Sequence, residues 1–95
     1  MPGVSSTIKM GCCSTSFEVD EGTLTNESKT VSFTSVMNEI TIINDDVTND
    51  LQFKFSATAD YATLKAKETI TVSIKSQTVI IYSSCIINYR IWSVG

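Results

Sequence analysis

The sequence contains no histidine, which removes the commonest general base and the usual partner of a nucleophilic serine or cysteine. Its four glycines are scattered, so there is no glycine-rich phosphate loop. Seven Lys and Arg are spread thinly over 95 residues of net charge −3, and no basic stripe interleaved with aromatics marks a nucleic-acid surface. No apolar run approaches the roughly 18 residues of a membrane span; the longest resemble Val79-Ile80-Ile81-Tyr82. The start lacks the basic and apolar regions of a signal peptide, and three cysteines is an odd number, so a disulfide framework is not expected. The expectation is a soluble protein made in the cytoplasm, with neither a membrane nor a nucleic acid as partner.

What is present is a period of two. Val31 and Phe33 alternate with hydroxyls in Thr30-Val31-Ser32-Phe33-Thr34, and Ile40 and Ile42 do so in the next segment. Leu51-Gln52-Phe53-Lys54-Phe55 alternates cleanly, and in Glu68–Lys75 the residues Ile70, Val72 and Ile74 share one face. Thr78–Tyr82 is nearly all apolar, as in a strand covered on both faces, and Ile86–Val94 follows. No sustained 3.6-residue stripe appears, and Ile, Val and Thr dominate. The predicted fold is an all-β, small antiparallel β-sandwich or jelly-roll-like barrel of roughly six to eight short strands. Residues 1–14 read as an N-terminal arm or leading strand and residues 15–95 as a single domain. Residues 30–36 and 38–44 are expected to pair as a hairpin, because the connection near Met37-Asn38 is short.

Catalytic chemistry has little to stand on. The carboxylates sit mostly at turn-like positions, and a core this small leaves little room for a substrate cleft, so no catalytic residue and no cofactor is assigned. Asp45, Asp46 and Asp50 offer oxygen ligands to Ca²⁺, but the stretch lacks the alternating acids, central Gly and closing Glu of an EF-hand loop. A solvated hairpin turn is the expected reading there. Asn26-Glu27-Ser28 matches a glycosylation sequon and reads as turn chemistry. Adjacent Cys12 and Cys13 with a distant Cys85 fall short of a four-ligand zinc set; Cys85, beside Ile86 and Ile87, is expected to be a buried thiol. Met10-Gly11-Cys12-Cys13-Ser14-Thr15 spells a myristoylation pattern, but its glycine is not second in the chain, so it reads as the joint between arm and first strand.

From Glu39 to Gly95 the order of segments is distinctive. Ile40-Thr41-Ile42-Ile43-Asn44 is followed by Leu51-Gln52-Phe53-Lys54-Phe55, then Thr63-Leu64 and Glu68-Thr69-Ile70, and finally Tyr89-Arg90-Ile91-Trp92. This grammar resembles small β-sandwich domains of tailed-phage virion proteins. The resemblance implies a non-enzymatic structural role: capsid decoration, head-fibre base, or neck or tail component in many copies. Its implied partners are copies of itself and other virion proteins, and its implied location is the virion. An arm carrying Val4, Ile8 and Met10 is then expected to reach a neighbouring subunit by strand addition, with terminal disorder as the plain alternative. Tyr89 and Trp92 are candidates either to anchor an interface or to pack in the core. The rival readings are a carbohydrate- or surface-binding module, which would have Trp92 as its only tryptophan, and a cytosolic adaptor.

Overall fold

The computed structural model describes residues 16–95, and the expected arm, with Val4, Ile8, Met10, Cys12 and Cys13, lies outside the described residues. Four strands follow in order: β1 Phe17–Asn44, β2 Leu51–Lys54, β3 Ala62–Leu64 and β4 Thr69–Val94. Hydrogen bonding runs in the order β1-β4-β2-β3 with antiparallel pairs throughout. β1 and β4 are 28 and 26 residues long, well beyond an ordinary strand, because each bends and changes partners along its length.

The register separates two four-segment layers. In one, residues 17–25 pair with 86–94, which pair in turn with 39–44, which pair with 69–73. In the other, residues 27–32 pair with 78–83, and the latter segment also pairs with β2, which pairs with β3. β1 and β4 thus contribute three ladder segments each and β2 and β3 one each, in keeping with a small sandwich or jelly-roll-like barrel. The inner faces meet in one apolar cluster: Leu24, Ile40, Ile42, Ile87, Tyr89 and Ile91 from the first layer, Val31, Val79, Ile81, Leu51, Phe53 and Leu64 from the second. Ile70 and Ile74 pack against this cluster from the expected face, while Thr71, Ser73 and Lys75 are exposed. No helix of the described residues is long and apolar enough to cross a membrane.

Three expectations are corrected. Residues 30–36 and 38–44 do not form a hairpin: 27–32 bonds to 78–83 while 39–44 bonds to 69–73 and 89–94. The Asn44–Asp50 stretch is not a hairpin turn either, since it carries the chain from one layer to the other. Short strands give way to long ones because the turn-like Asn26-Glu27-Ser28 is absorbed as an irregularity inside β1. Asn26 takes a left-handed φ of 46°, and the register shifts between Thr25 and Glu27. Asparagine tolerates that conformation, and a bulge of this kind bends a strand without ending it.

The bend is clamped by side chains from both layers. Asp20 and Lys29 flank it at register positions opposite Ile91 and Ile81, with their side chains partly in solvent. Tyr89, 1% exposed, donates its hydroxyl to Asp20 Oδ2 at 2.7 Å and accepts from Lys29 Nζ at 2.8 Å. Gly22 lies directly opposite Tyr89, and a Cβ there would make an ordinary contact with the Tyr89 hydroxyl at 3.4 Å. Burial, above all, holds the Tyr89 hydroxyl above its ordinary pKa. The hydrogen bond to Tyr89 is the first reason that the Lys29 ammonium is also raised.

A second polar knot closes the opposite end of β1. Asn44 is fully buried, and its Nδ2 donates to the carbonyls of Asn49 at 2.9 Å and Leu64 at 3.2 Å. Its Oδ1 accepts from the Asp46 amide at 3.0 Å. One side chain thereby joins the end of β1, the crossing loop and the end of β3.

Candidate functional site

Four surface features arise from this frame. The first is the edge of β1. Residues 17–32 pair only with β4, so one side of their backbone has no ladder partner among the described residues. Apart from the half-buried Asp20 and the buried Leu24 and Val31, most of its side chains are exposed, Glu21, Thr25, Ser28, Lys29 and Thr30 among them.

The second is the outer face of the first layer, where Arg90 and Trp92 stand side by side on β4. Arg90 grips Asp45 with two hydrogen bonds of 2.7 and 2.9 Å, and its guanidinium lies 5.5 Å from the centre of the Trp92 ring. Trp92 Nε1 donates to Glu21 at 3.1 Å, and the Asp45 carboxylate holds the Arg90 pKa above its ordinary value. Ile43, 7% exposed and outside the main core, faces Arg90 and Thr69 on this side. Trp92 is thus a half-buried outer-face residue, whereas Tyr89 belongs to the core, as the second of its two readings has it.

The third is the loop from Asp45 to Asp50. The Asp46 carboxylate accepts from the Thr48 amide at 2.9 Å and the Asn49 amide at 2.7 Å, and the Thr48 amide is the first cause of its lowered pKa. With Asp45 committed to Arg90 and Asp46 to the loop backbone, the three carboxylates do not converge. Among the described residues no group of three or more His, Cys, Asp or Glu could hold a metal ion. The loop does present one apolar side chain, Val47, at 70% exposure.

The fourth is a groove of about 440 Å³ at the other end of β2. Phe53, Phe55, Ala62 and Ile74 supply its apolar lining, with the two phenyl rings edge-to-face at 5.9 Å. Lys54 and Lys75 stand at its rim with a single acid, Asp60. Lys54 Nζ lies 4.4 Å from the Tyr61 ring centre and bonds the Ala57 carbonyl at 3.3 Å. Lone Val47 among Asn and Asp was a visible signal of an apolar loop tip. The groove left no local signal, because Ala62 and Ile74 reach Phe53 only through the fold.

Cys85 corrects another expectation: its thiol is exposed, and so is Ile86, at 64%. Both sit where β4 bends between layers, and Ser83 turns inward there, donating to the Asp50 carbonyl at 3.2 Å. An apolar neighbour in sequence says little about burial at a bend, where the alternation is broken.

No protein-family model and no curated protein matches the sequence. Solved structures do share its fold. A cupin superfamily protein from Desulfitobacterium hafniense superposes with a TM-score of 0.57 at 8% identity, over 82% of this chain and 66% of that one. A Neisseria meningitidis protein matches at a TM-score of 0.56 and 16% identity, over 95% of this chain and 91% of that one. A Vibrio parahaemolyticus protein of unknown function matches at 0.55 and 17% identity, over 79% and 72%. The likeness is one of fold: a small antiparallel β-barrel or sandwich of the shape cupins adopt.

Proposed function

We propose that this chain is a structural, non-enzymatic subunit that packs in many copies, in the setting of a tailed-phage virion. The observation that carries the reading is the one-sided pairing, among the described residues, of 17–25 and 27–32, a bent backbone edge able to accept a strand from a neighbour. The virion setting is drawn from the segment grammar of residues 39–95, which resembles small β-sandwich virion proteins. The polar groups at the bend and in the core also favour a structural role. Asp20, Lys29 and Tyr89 satisfy one another across a bend, and Asn44 satisfies backbone groups, so each is occupied in holding the layers together.

The glycan-binding reading gains less support. Trp92 would be its stacking platform, yet Arg90 lies over the ring and Glu21 takes the indole N–H. The test is particle size by light scattering over a range of concentrations, with binding to purified capsids and tails. Assembly or virion binding is expected, and it should weaken in a Thr30→Lys, Ser32→Lys double variant that blunts the edge while melting like the wild type. A strictly monomeric protein with no affinity for capsids or tails would refute the proposal.

A further inference from the structure

The knob at Val47 and the groove at Phe53, Phe55, Ala62 and Ile74 are both apolar, and the charges around them are of opposite sign. Val47 is 70% exposed on a loop made rigid by Asp46, and a valine is small beside the groove's volume. Around the knob the charges are acidic, with Asp46 and the exposed Asp50 as its near neighbours in the chain. Around the groove they are basic on balance, Lys54 and Lys75 against Asp60. The knob precedes Leu51 and the groove begins at Phe53, so the two lie toward opposite ends of β2. The first layer repeats that spacing: the residue 69 end of β4 pairs with Ile43 beside the loop, while Ile74–Ser76 line the groove. A chain cannot seat its own knob from that position.

We propose that the groove receives Val47 from a second copy of this chain, in a head-to-tail contact with Asp46 and Asp50 of the incoming loop facing Lys54 and Lys75. The proposal rests on the multi-copy reading above and gives it a second, distinct contact. A heterologous contact of this kind leaves a free knob at one end and a free groove at the other, so repetition makes a ring or a filament rather than a closed pair. The apolar contact supplies the attraction and the charges set which end meets which. The single side chain makes each contact weak, which suits an array in which many contacts act together.

The test uses the full-length chain in analytical ultracentrifugation at rising concentration and two salt levels. Wild type is expected to associate, and less so at high salt. Val47→Asp and the groove-filling Ala62→Trp, both at exposed positions, should each weaken association roughly tenfold or more while melting like the wild type, given the transfer energy of a buried valine. Lys75→Glu should weaken it too, and adding Asp50→Lys to the same chain should restore it by reversing both charges. Wild-type association that survives Val47→Asp and Ala62→Trp unchanged would overturn the knob and groove while leaving the multi-copy reading in place. A chain that stays monomeric at every concentration would also overturn it, and capsid or tail binding by that monomer would still support the virion role.

Discussion

Asn44 offers the sharpest test of how the two layers are held together. Replacing it with alanine removes three hydrogen bonds at a site with no solvent exposure: two donated to the carbonyls of Asn49 and Leu64 and one accepted from the Asp46 amide. Leu64 is 4% exposed, so its carbonyl loses this partner where water does not easily replace it. A net hydrogen bond contributes about 1 kcal/mol and an orphaned buried acceptor costs about 1–3 kcal/mol, which puts Asn44→Ala near 3 kcal/mol. A domain of this length holds only about 5–14 kcal/mol in total. At roughly 4–8 °C per kcal/mol, the melting temperature should fall by about 12–24 °C in circular-dichroism melts. The isosteric Asn44→Asp adds a second, signed prediction. Its carboxylate would face the two carbonyl oxygens that Nδ2 now contacts, so the folded state would favour the protonated form. The folded pKa would then lie above the unfolded value of about 3.9. The variant's relative stability should therefore be greatest below that pH and be lost as pH rises through the folded pKa, with no such trend in Asn44→Ala. An Asn44→Ala chain melting within about 3 °C of wild type would refute the reasoning, because it would mean that the crossing loop and β3 hold without this side chain.

Other outcomes follow from the remaining features. Tyr89 and Lys29 both titrate above their ordinary values, so the stability they give is complete below about pH 10 and lost as pH rises through their folded pKa values. Alkaline unfolding followed by intrinsic fluorescence should show that loss, and Tyr89→Phe should reduce it while lowering stability by about 1 kcal/mol at neutral pH. Arg90→Ala should change stability by less than about 1 kcal/mol in urea melts, since both partners of its ion pair remain partly in water, with side chains 39% and 30% exposed. Ile81→Ala, at a fully buried position, should cost about 2–5 kcal/mol in the same assay. Cys85 should react with a thiol reagent at the rate of an exposed thiol in the folded protein, and a reaction that waited for unfolding would contradict its placement.

The period-two readings of the sequence were readable because each depends only on residues two apart. Val31 with Phe33, Ile40 with Ile42 and Leu51 with Phe53 all turn to the core as the alternation requires. Ile70, Val72 and Ile74 likewise share the less exposed face. Pairing was not readable, because it is set by partners far away in the chain. Residues 39–44 look like the return strand of a hairpin, yet their partners are 69–73 and 89–94. The bend at Asn26 was also hidden, since the chemistry that favours a turn equally favours a bulge within a strand. At the surface, the Asp45–Arg90 grip and the Trp92–Glu21 bond join residues with no local relation. The groove is legible only after Phe53 and Ile74 have been brought together.

The double use of β1 and β4 has a consequence for how the protein is made. Phe17 pairs with Val94 and Ser32 with Thr78, so the opening half of β1 emerges long before any of its ladder partner exists. During synthesis that segment must wait with both edges bare until residues up to 94 have followed, the interval in which an unpaired strand most readily joins the wrong chain. Pairings of such long sequence separation also place the fold among the slower-forming topologies. Asp20 and Lys29 are therefore useful before the fold is complete: charged side chains on the waiting strand discourage premature pairing, and Tyr89 bonds to both once it arrives.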